Sequence, residues 1–572
     1  MTLSKHGARA VALAAALALT ATACGGDDDK ATPGTTGGTQ GSAAGKPGGT
    51  LNILQIADFD HIDPQRTYVS NALNFTERLM TRTLVTYDSK PGPEGSKIVP
   101  DLATDLGKAT DGNKTWTFTL KDGVKFQDGT PITCEDIKYG VSRSFSSQIT
   151  DGPQYAQQYL ALEKGADGAL AYKGPYVAGP KGGFDEAISC TDPKTIVFKL
   201  NRAIGDFNYT LTMPQFSPVP KSKDTGTKYD TSVVSSGPYK IQTYTQKKSL
   251  TLIRNENWDP KTDTVRKAYP DKIVVTFGID PNLIDSRLIA DAPADQTAMM
   301  LDTFVQAQNV NRVLNTPALK ARTVNGFDGS MRYLAINWKK VPDQKVREAI
   351  YYGIDKETYR GTRGGTQAGD YATSMITPAL TSHKKFDAFP APPQGDPEKA
   401  KALLAEAGKS GLALKIDVPN TPAASKAGAA FKAALERAGF RVTLNPDAFY
   451  STVGKTSVQS DLTLAGWGPD WPSGSSVVPP LVDGRQIVPE GNQILCQCND
   501  PEIIAAIDAA NKETDPTKQS ELWGDADEIA IKKLPLVPLI YGKTTQMWGS
   551  KVKGAYLHAF YGEIDLATVS VS

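Results

Sequence analysis

Four histidines and five cysteines are the whole stock of imidazoles and thiols in this chain of 572 residues. Their placement argues against most covalent chemistry. Beyond the first 23 residues only His61, His383 and His558 remain, far apart in sequence. There is no Gly-x-Ser-x-Gly elbow to present a nucleophile and no His-Glu-x-x-His helix to hold a metal. Gly454-Lys455-Thr456 ends like a phosphate loop, but Phe449 stands where that loop needs its first glycine. Gly466-x-Gly468 fails as a dinucleotide fingerprint because Trp471 occupies the third glycine position. The expectation is a protein that binds and does not catalyse, with no catalytic residue, no cofactor and no metal.

The cysteines divide into Cys24, near the start, and Cys134, Cys190, Cys496 and Cys498. In an exported protein an even set suggests disulfides, and four cysteines allow three connectivities. The pairing favoured is Cys134 with Cys190, leaving Cys496 and Cys498 as a local bridge. The Cys-x-Cys pair also resembles half of a metal site, but it lacks the second ligand pair that zinc needs.

Export itself is read from the N-terminus. Lys5 and Arg9 precede Val11 to Leu19, an apolar run too short to span a bilayer but of the length of a signal-peptide core, so residues 1–23 are an address. Ala21-Thr22-Ala23-Cys24-Gly25 then resembles the lipobox of bacterial lipoproteins, with Ala21 where leucine is usual. That resemblance implies lipidation of Cys24 and a palmitate-type anchor on the extracytoplasmic face of the cell membrane. The other reading is simple cleavage after Ala23, which leaves a free thiol on an exported protein. Two or more acyl chains hold a protein firmly where one is marginal. Residues 24–49 are rich in Gly, Thr, Ser and Ala and cannot bury a core, so they form a flexible tether. Loss of Lys5 and Arg9 takes two cations and no acids from a chain of formal charge +1, leaving −1. A near-neutral surface argues against nucleic acid as a partner.

The remaining roughly 520 residues suggest two to four domains. Alternating segments such as Thr115 to Leu120 predict strands, with turns at Asp122-Gly123 and Asp128-Gly129. Thr133 and Asp136 have capping-box spacing. Asp396-Pro397, Asp500-Pro501 and Asp515-Pro516 each predict a helix start, and an Ala-rich helix runs from about Ala423 to Ala438. Strands and helices mixed throughout make the class α/β.

Four blocks, in order, carry a closer likeness. They are TWTFTLKDGVKFQDGTPITCEDIKYGVSR at Thr115–Arg143, SSGPYKIQTYTQKKSLTLIRNENW at Ser235–Trp258, RYLAINWKKVPDQKVREAIYYGID at Arg332–Asp355, and GDPEKAKALLAEAG at Gly395–Gly408. Together they resemble the family 5 extracellular solute-binding proteins that serve oligopeptide and dipeptide ABC importers. The resemblance implies a two-lobed periplasmic-binding-protein fold of type II. Lobe I would take residues 50–323, with an extra subdomain at about 85–234; lobe II would take 324–534, and 535–572 would return to lobe I. A solute would be enclosed as the lobes close on a hinge, and the loaded protein, a monomer, would dock on permease subunits.

Within that likeness, Ala465 to Trp471 looks like the family's Gly-Trp-x-x-Asp loop, which implies that Asp470 pairs with a peptide's N-terminal ammonium. Such a charge, once enclosed, must meet an opposite charge. Trp467, Gly468 and Trp471 would wall the pocket, and His61 would approach from lobe I. After Asp470 the loop departs from the family pattern, reading Trp-Pro-Ser-Gly-Ser-Ser. The stretch Val418 to Thr421 holds no arginine of the sort that clamps a dipeptide carboxylate, which favours longer peptides. Arg485 is read as a solvated surface residue. The alternatives are another solute on the same fold (a nickel chelate, an opine-like compound or an oligosaccharide), a peptide-sensing lipoprotein, and a secreted hydrolase.

Overall fold

Period-two alternation of apolar and polar residues builds most strands of this protein, and these strands gather into three larger sheets. The computed structural model describes residues 45–149, 151–166, 168–446, 453–489 and 492–572. The apolar leader, Cys24 and the tether up to residue 44 lie outside the described residues.

In Thr115–Thr119, Trp116 and Phe118 turn inward and oppose Phe198 and Ile196 of Thr195–Lys199. Lys108–Thr110 and Ile188–Asp192 complete a four-stranded antiparallel sheet. The helix Cys134–Arg143 packs Ile137 and Val141 into the same core. Asp136 accepts hydrogen bonds from the Thr133 backbone N (2.8 Å) and Oγ1 (2.7 Å), so the capping residues meet as their spacing suggested. Cys134 and Cys190 are joined across a sequence separation of 56, tying the helix start to the sheet edge. Cys496 and Cys498 also form a bridge.

The second sheet runs in the order Ala298–Met300, Thr50–Leu54, Lys272–Thr276, Ser249–Arg254, Tyr239–Thr245, its first three strands parallel. Together these two sheets make lobe I. Lobe II is built on a six-stranded sheet in the order Gly369–Tyr371, Leu536–Met547, Thr323–Ile336, Leu462–Trp467, Ala413–Asp417, Arg441–Asn445. Helices cover both faces. Gln344–Gly353, Lys356–Thr362, Pro397–Glu406 and Pro422–Arg437 pack on one, and Val478–Val482, Pro501–Lys512 and Pro516–Lys532 on the other. Asp396, Asp500 and Asp515 each accept from backbone N–H groups in the first helical turn, which satisfies donors the helix itself cannot.

Two of these strands join the lobes. Thr323–Ile336 and Leu536–Met547 pair antiparallel from Thr323 with Met547, beside the lobe I core, to Ala335 with Leu536, inside lobe II. Their register breaks between Phe327 and Met331, where Gly329 takes a φ of 75°. A ladder interrupted at its middle is the part of a paired ribbon that bends at least cost. The last residues, including Ile564, Leu566 and Val571, pack back into the lobe I core.

Removing the longer disulfide should be costly, because it restrains a large loop in the unfolded chain. For a Cys134→Ala/Cys190→Ala protein the chain-entropy estimate is a loss of about 4 kcal/mol. Guanidinium unfolding should show a lower midpoint than the oxidised parent; equal midpoints would refute the estimate.

Candidate functional site

The strand Leu462–Trp467 ends at the interlobe face, where Gly468 and Pro469 break its alternation and swing the chain toward lobe I. Asp470 follows, part-exposed, with its carboxylate against two lobe I phenols. Tyr155 donates its hydroxyl to Asp470 Oδ2, and Tyr68 donates as well. Burial is the larger influence and pushes the carboxyl up to about 6, while the two phenolic hydrogen bonds oppose it. Tyr155 is itself driven well above the ordinary phenol range, first by burial and then by the Asp470 charge. Tyr68 and Val69, just before the helix Ser70–Leu79, keep 40% and 50% of their surface, an unusual pair of open apolar side chains at this face.

The tryptophans brace the loop. Trp471 is 2% exposed and lies edge-on to Tyr155, with ring centroids 4.8 Å apart, inside an aromatic cluster that also holds Tyr87, Phe560 and Tyr561 of lobe I. Its Nε1 donates to Ser475 Oγ (2.8 Å), and Trp467 Nε1 donates to the Ser476 carbonyl (2.8 Å). Gly468 faces open space, since a Cβ there would meet nothing within 4 Å.

Sequence reasoning missed the next contact. Ser473 Oγ donates to Asp206 Oδ2 of lobe I at 2.7 Å, and Ser475 Oγ donates to the same oxygen. Asp206 is 2% exposed, and its carboxyl is raised by burial and partly restored by the serines. The residues that set this loop apart from the family pattern, Trp-Pro-Ser-Gly-Ser-Ser, are therefore those that fasten it to the opposite lobe. Asp206 carried no signal of its own, because its partners lie more than 260 residues away.

A basic group lies near the same end of this strand. The Arg332 guanidinium lies over Gly466, so close that a Cβ on that glycine would come within 2.3 Å of Arg332 Nη1. Arg363, just after the helix Lys356–Thr362, makes a hydrogen bond to the Tyr359 hydroxyl. Both line a cavity of about 230 Å³ together with Asp328, Lys543 and the lobe I residues Phe304 and Val305. Among the described residues neither guanidinium is in an ion pair, whereas Lys543 Nζ sits 2.6 Å from Asp370. The arginines were legible only as the Gly-rich run Gly361-Thr-Arg363-Gly-Gly and as the head of a block read for its fold.

Two sequence candidates lie elsewhere. His61 has Nδ1 2.5 Å from Asp230 and Nε2 3.2 Å from Arg66, so its polar partners belong to lobe I and none to the loop 466–477. Arg485 is held at the lobe II surface by Asp483 (2.8 Å) and Asp508 (2.9 Å). Among the described residues no cluster of His, Cys, Asp or Glu is placed to hold a metal ion, and no helix is long and apolar enough to cross a membrane.

Known proteins share this architecture and sequence. The model of the bacterial extracellular solute-binding proteins, family 5 (Middle), matches residues 97–487. The periplasmic oligopeptide-binding protein OppA of Salmonella typhimurium is 26% identical over 447 residues, 75% of this chain and 76% of that one. The oligopeptide-binding protein OppA of Bacillus subtilis is 24% identical over 483 residues, 80% of this chain and 82% of that one. Among solved structures, the clavulanic acid biosynthesis oligopeptide binding protein 2 superposes with a TM-score of 0.85 at 32% identity, covering 92% of this chain and 96% of that one. A family match over more than half the chain, on a two-lobed α/β frame, makes this protein a member of the family 5 bacterial extracellular solute-binding proteins.

Proposed function

We propose that this protein captures short peptides between its lobes and hands them to the permease of an ABC importer, held at the outer face of the membrane by a lipid on Cys24. The observation that carries the reading is a pair of opposite charges near the end of the strand Leu462–Trp467: the Asp470 carboxylate just beyond it and the Arg332 guanidinium over Gly466. A peptide is a zwitterion whose two ends would meet these groups, with its ammonium on Asp470 and its carboxylate on Arg332. Four residue steps separate Gly466 from Asp470, at most roughly 13 Å of extended chain, which suits a peptide of about three or four residues. A neutral sugar would use neither end. The relatives named for oligopeptide binding point the same way. Open backbone at Gly468 leaves room for the main chain of a ligand to lie against the strand, with Tyr68 and Val69 on the far side.

Closure would bring Ser473 and Ser475 onto Asp206 and seat Trp471 among the lobe I aromatics, contacts available only when the lobes meet. A ligand that bridges the lobes then shifts the balance toward the closed form.

The tests follow from Asp470 and Asp206. An ammonium needs the ionised carboxylate, which in the free protein is present above about 6. Peptide affinity measured by calorimetry should be flat above pH 7 and weaken as pH falls through 6, approaching tenfold per unit. Asp470→Asn should lose at least a hundredfold in affinity and all of that pH dependence; tight binding by this variant would reject the ammonium role.

The same residue predicts a stability trend of opposite sense. Its carboxyl is raised from 3.8 to about 6 in the folded chain, so it destabilises the unliganded protein progressively as pH rises through that window. The unliganded Asp470→Asn protein should therefore melt no lower than the parent at pH 7.5. For Asp206→Ala, dissociation of bound peptide should accelerate about tenfold or more while the ranking of peptides stays the same; an altered ranking would assign Asp206 to ligand contact and not to closure.

A further inference from the structure

The basic cavity holds more than one carboxylate requires. Its volume of about 230 Å³ has room for a side chain beside the end of a main chain, and its walls combine apolar Val305, Val310 and Ile540 with the charged groups. Of those charges, Lys543 is already paired with Asp370, and Asp328 has its Oδ1 engaged by the Ser330 backbone N (2.8 Å) and Oγ (2.6 Å). Asp328 offsets part of the positive charge but pairs with neither arginine among the described residues. Two guanidiniums thus face one cavity without an ion-pair partner. Arg332 is half-buried and Arg363 exposed, so an anion that meets both is held by charges that salt can screen. One carboxylate answers one guanidinium well, in the bidentate geometry that arginine favours. The second arginine calls for a second anion.

The two arginines also differ in mounting. Arg332 springs from the strand Thr323–Ile336 and lies directly over Gly466, where a ligand main chain would end. Arg363 follows a helix and precedes Gly364 and Gly365, both at positive φ, so it stands on a tight turn at the cavity's other side. We propose that this cavity reads the last residue of the captured peptide and selects an acidic side chain, Asp or Glu. Arg332 takes the terminal carboxylate and Arg363 the side-chain carboxylate. This inference rests on the peptide reading of the cleft and adds to it a preference at one position.

The experiment is a calorimetric series on the folded protein with Ala-Ala-Glu, Ala-Ala-Gln and Ala-Ala-Lys, and with the same three endings on a tetrapeptide. The Glu-ended peptides should bind at least tenfold more tightly than the Gln-ended ones, and the Lys-ended ones should be weakest. The Glu-over-Gln ratio should shrink with added salt. In Arg363→Gln it should fall to within threefold, and Arg363→Lys should recover part of it. Equal binding of Glu and Gln endings by the parent protein, with Asp470 still required, would overturn the inference and leave the peptide reading standing. Binding of none of these peptides, or binding indifferent to Asp470→Asn, would overturn both. The comparison within the parent protein decides the matter even if a variant fails to fold.

Discussion

Enclosing a carboxylate between two lobes is unfavourable unless something meets its charge, and the working parts of this protein are arranged around that fact. Asp470 is answered by the hydroxyls of Tyr155 and Tyr68, which hydrogen-bond it without neutralising it, and its carboxyl remains raised to about 6. Phenols are suitable stand-ins because they satisfy the oxygens in the unliganded protein and yield to a better partner. No cation is among the groups acting on it, so part of the cost of burial remains.

That arrangement works only if the lobes can part and meet again in register. The two crossing strands supply one continuous connection from the lobe I core to the lobe II core, and the broken ladder at Gly329 gives the motion a place. The loop beyond Asp470 supplies the other half. Trp471 fills an aromatic pocket of lobe I, and two serines share one oxygen of the buried Asp206, so that closure is a set of discrete contacts made together. The other Asp206 oxygen has no partner among the described residues.

Opposite charges lie near one end of the strand Leu462–Trp467. Asp470 lies beyond the strand end, and Arg332 reaches across from the neighbouring strand at the pairing of Arg332 with Gly466. Glycine leaves the guanidinium its place, since a Cβ at Gly466 would push the Arg332 side chain aside.

Much of this was legible in the chain itself. The alternation of Trp116 and Phe118, the Asp-Pro helix starts and the Thr133–Asp136 cap are local, because each depends on residues within a few positions of one another. The loop bearing Asp470 stood out through its resemblance to the family's Gly-Trp-x-x-Asp loop. Asp206 with Ser473 and Ser475, and Arg332 over Gly466, were invisible for the opposite reason, as they unite side chains from distant segments whose types are ordinary on any surface. His61 looked placed for the cleft because it follows the first strand, yet a neighbouring aspartate and arginine claim its ring. Local spacing carried the elements and the family likeness; which charges face one another was settled in the folded chain, because a hydrogen bond or ion pair is set by distance in space and the chain order does not encode it.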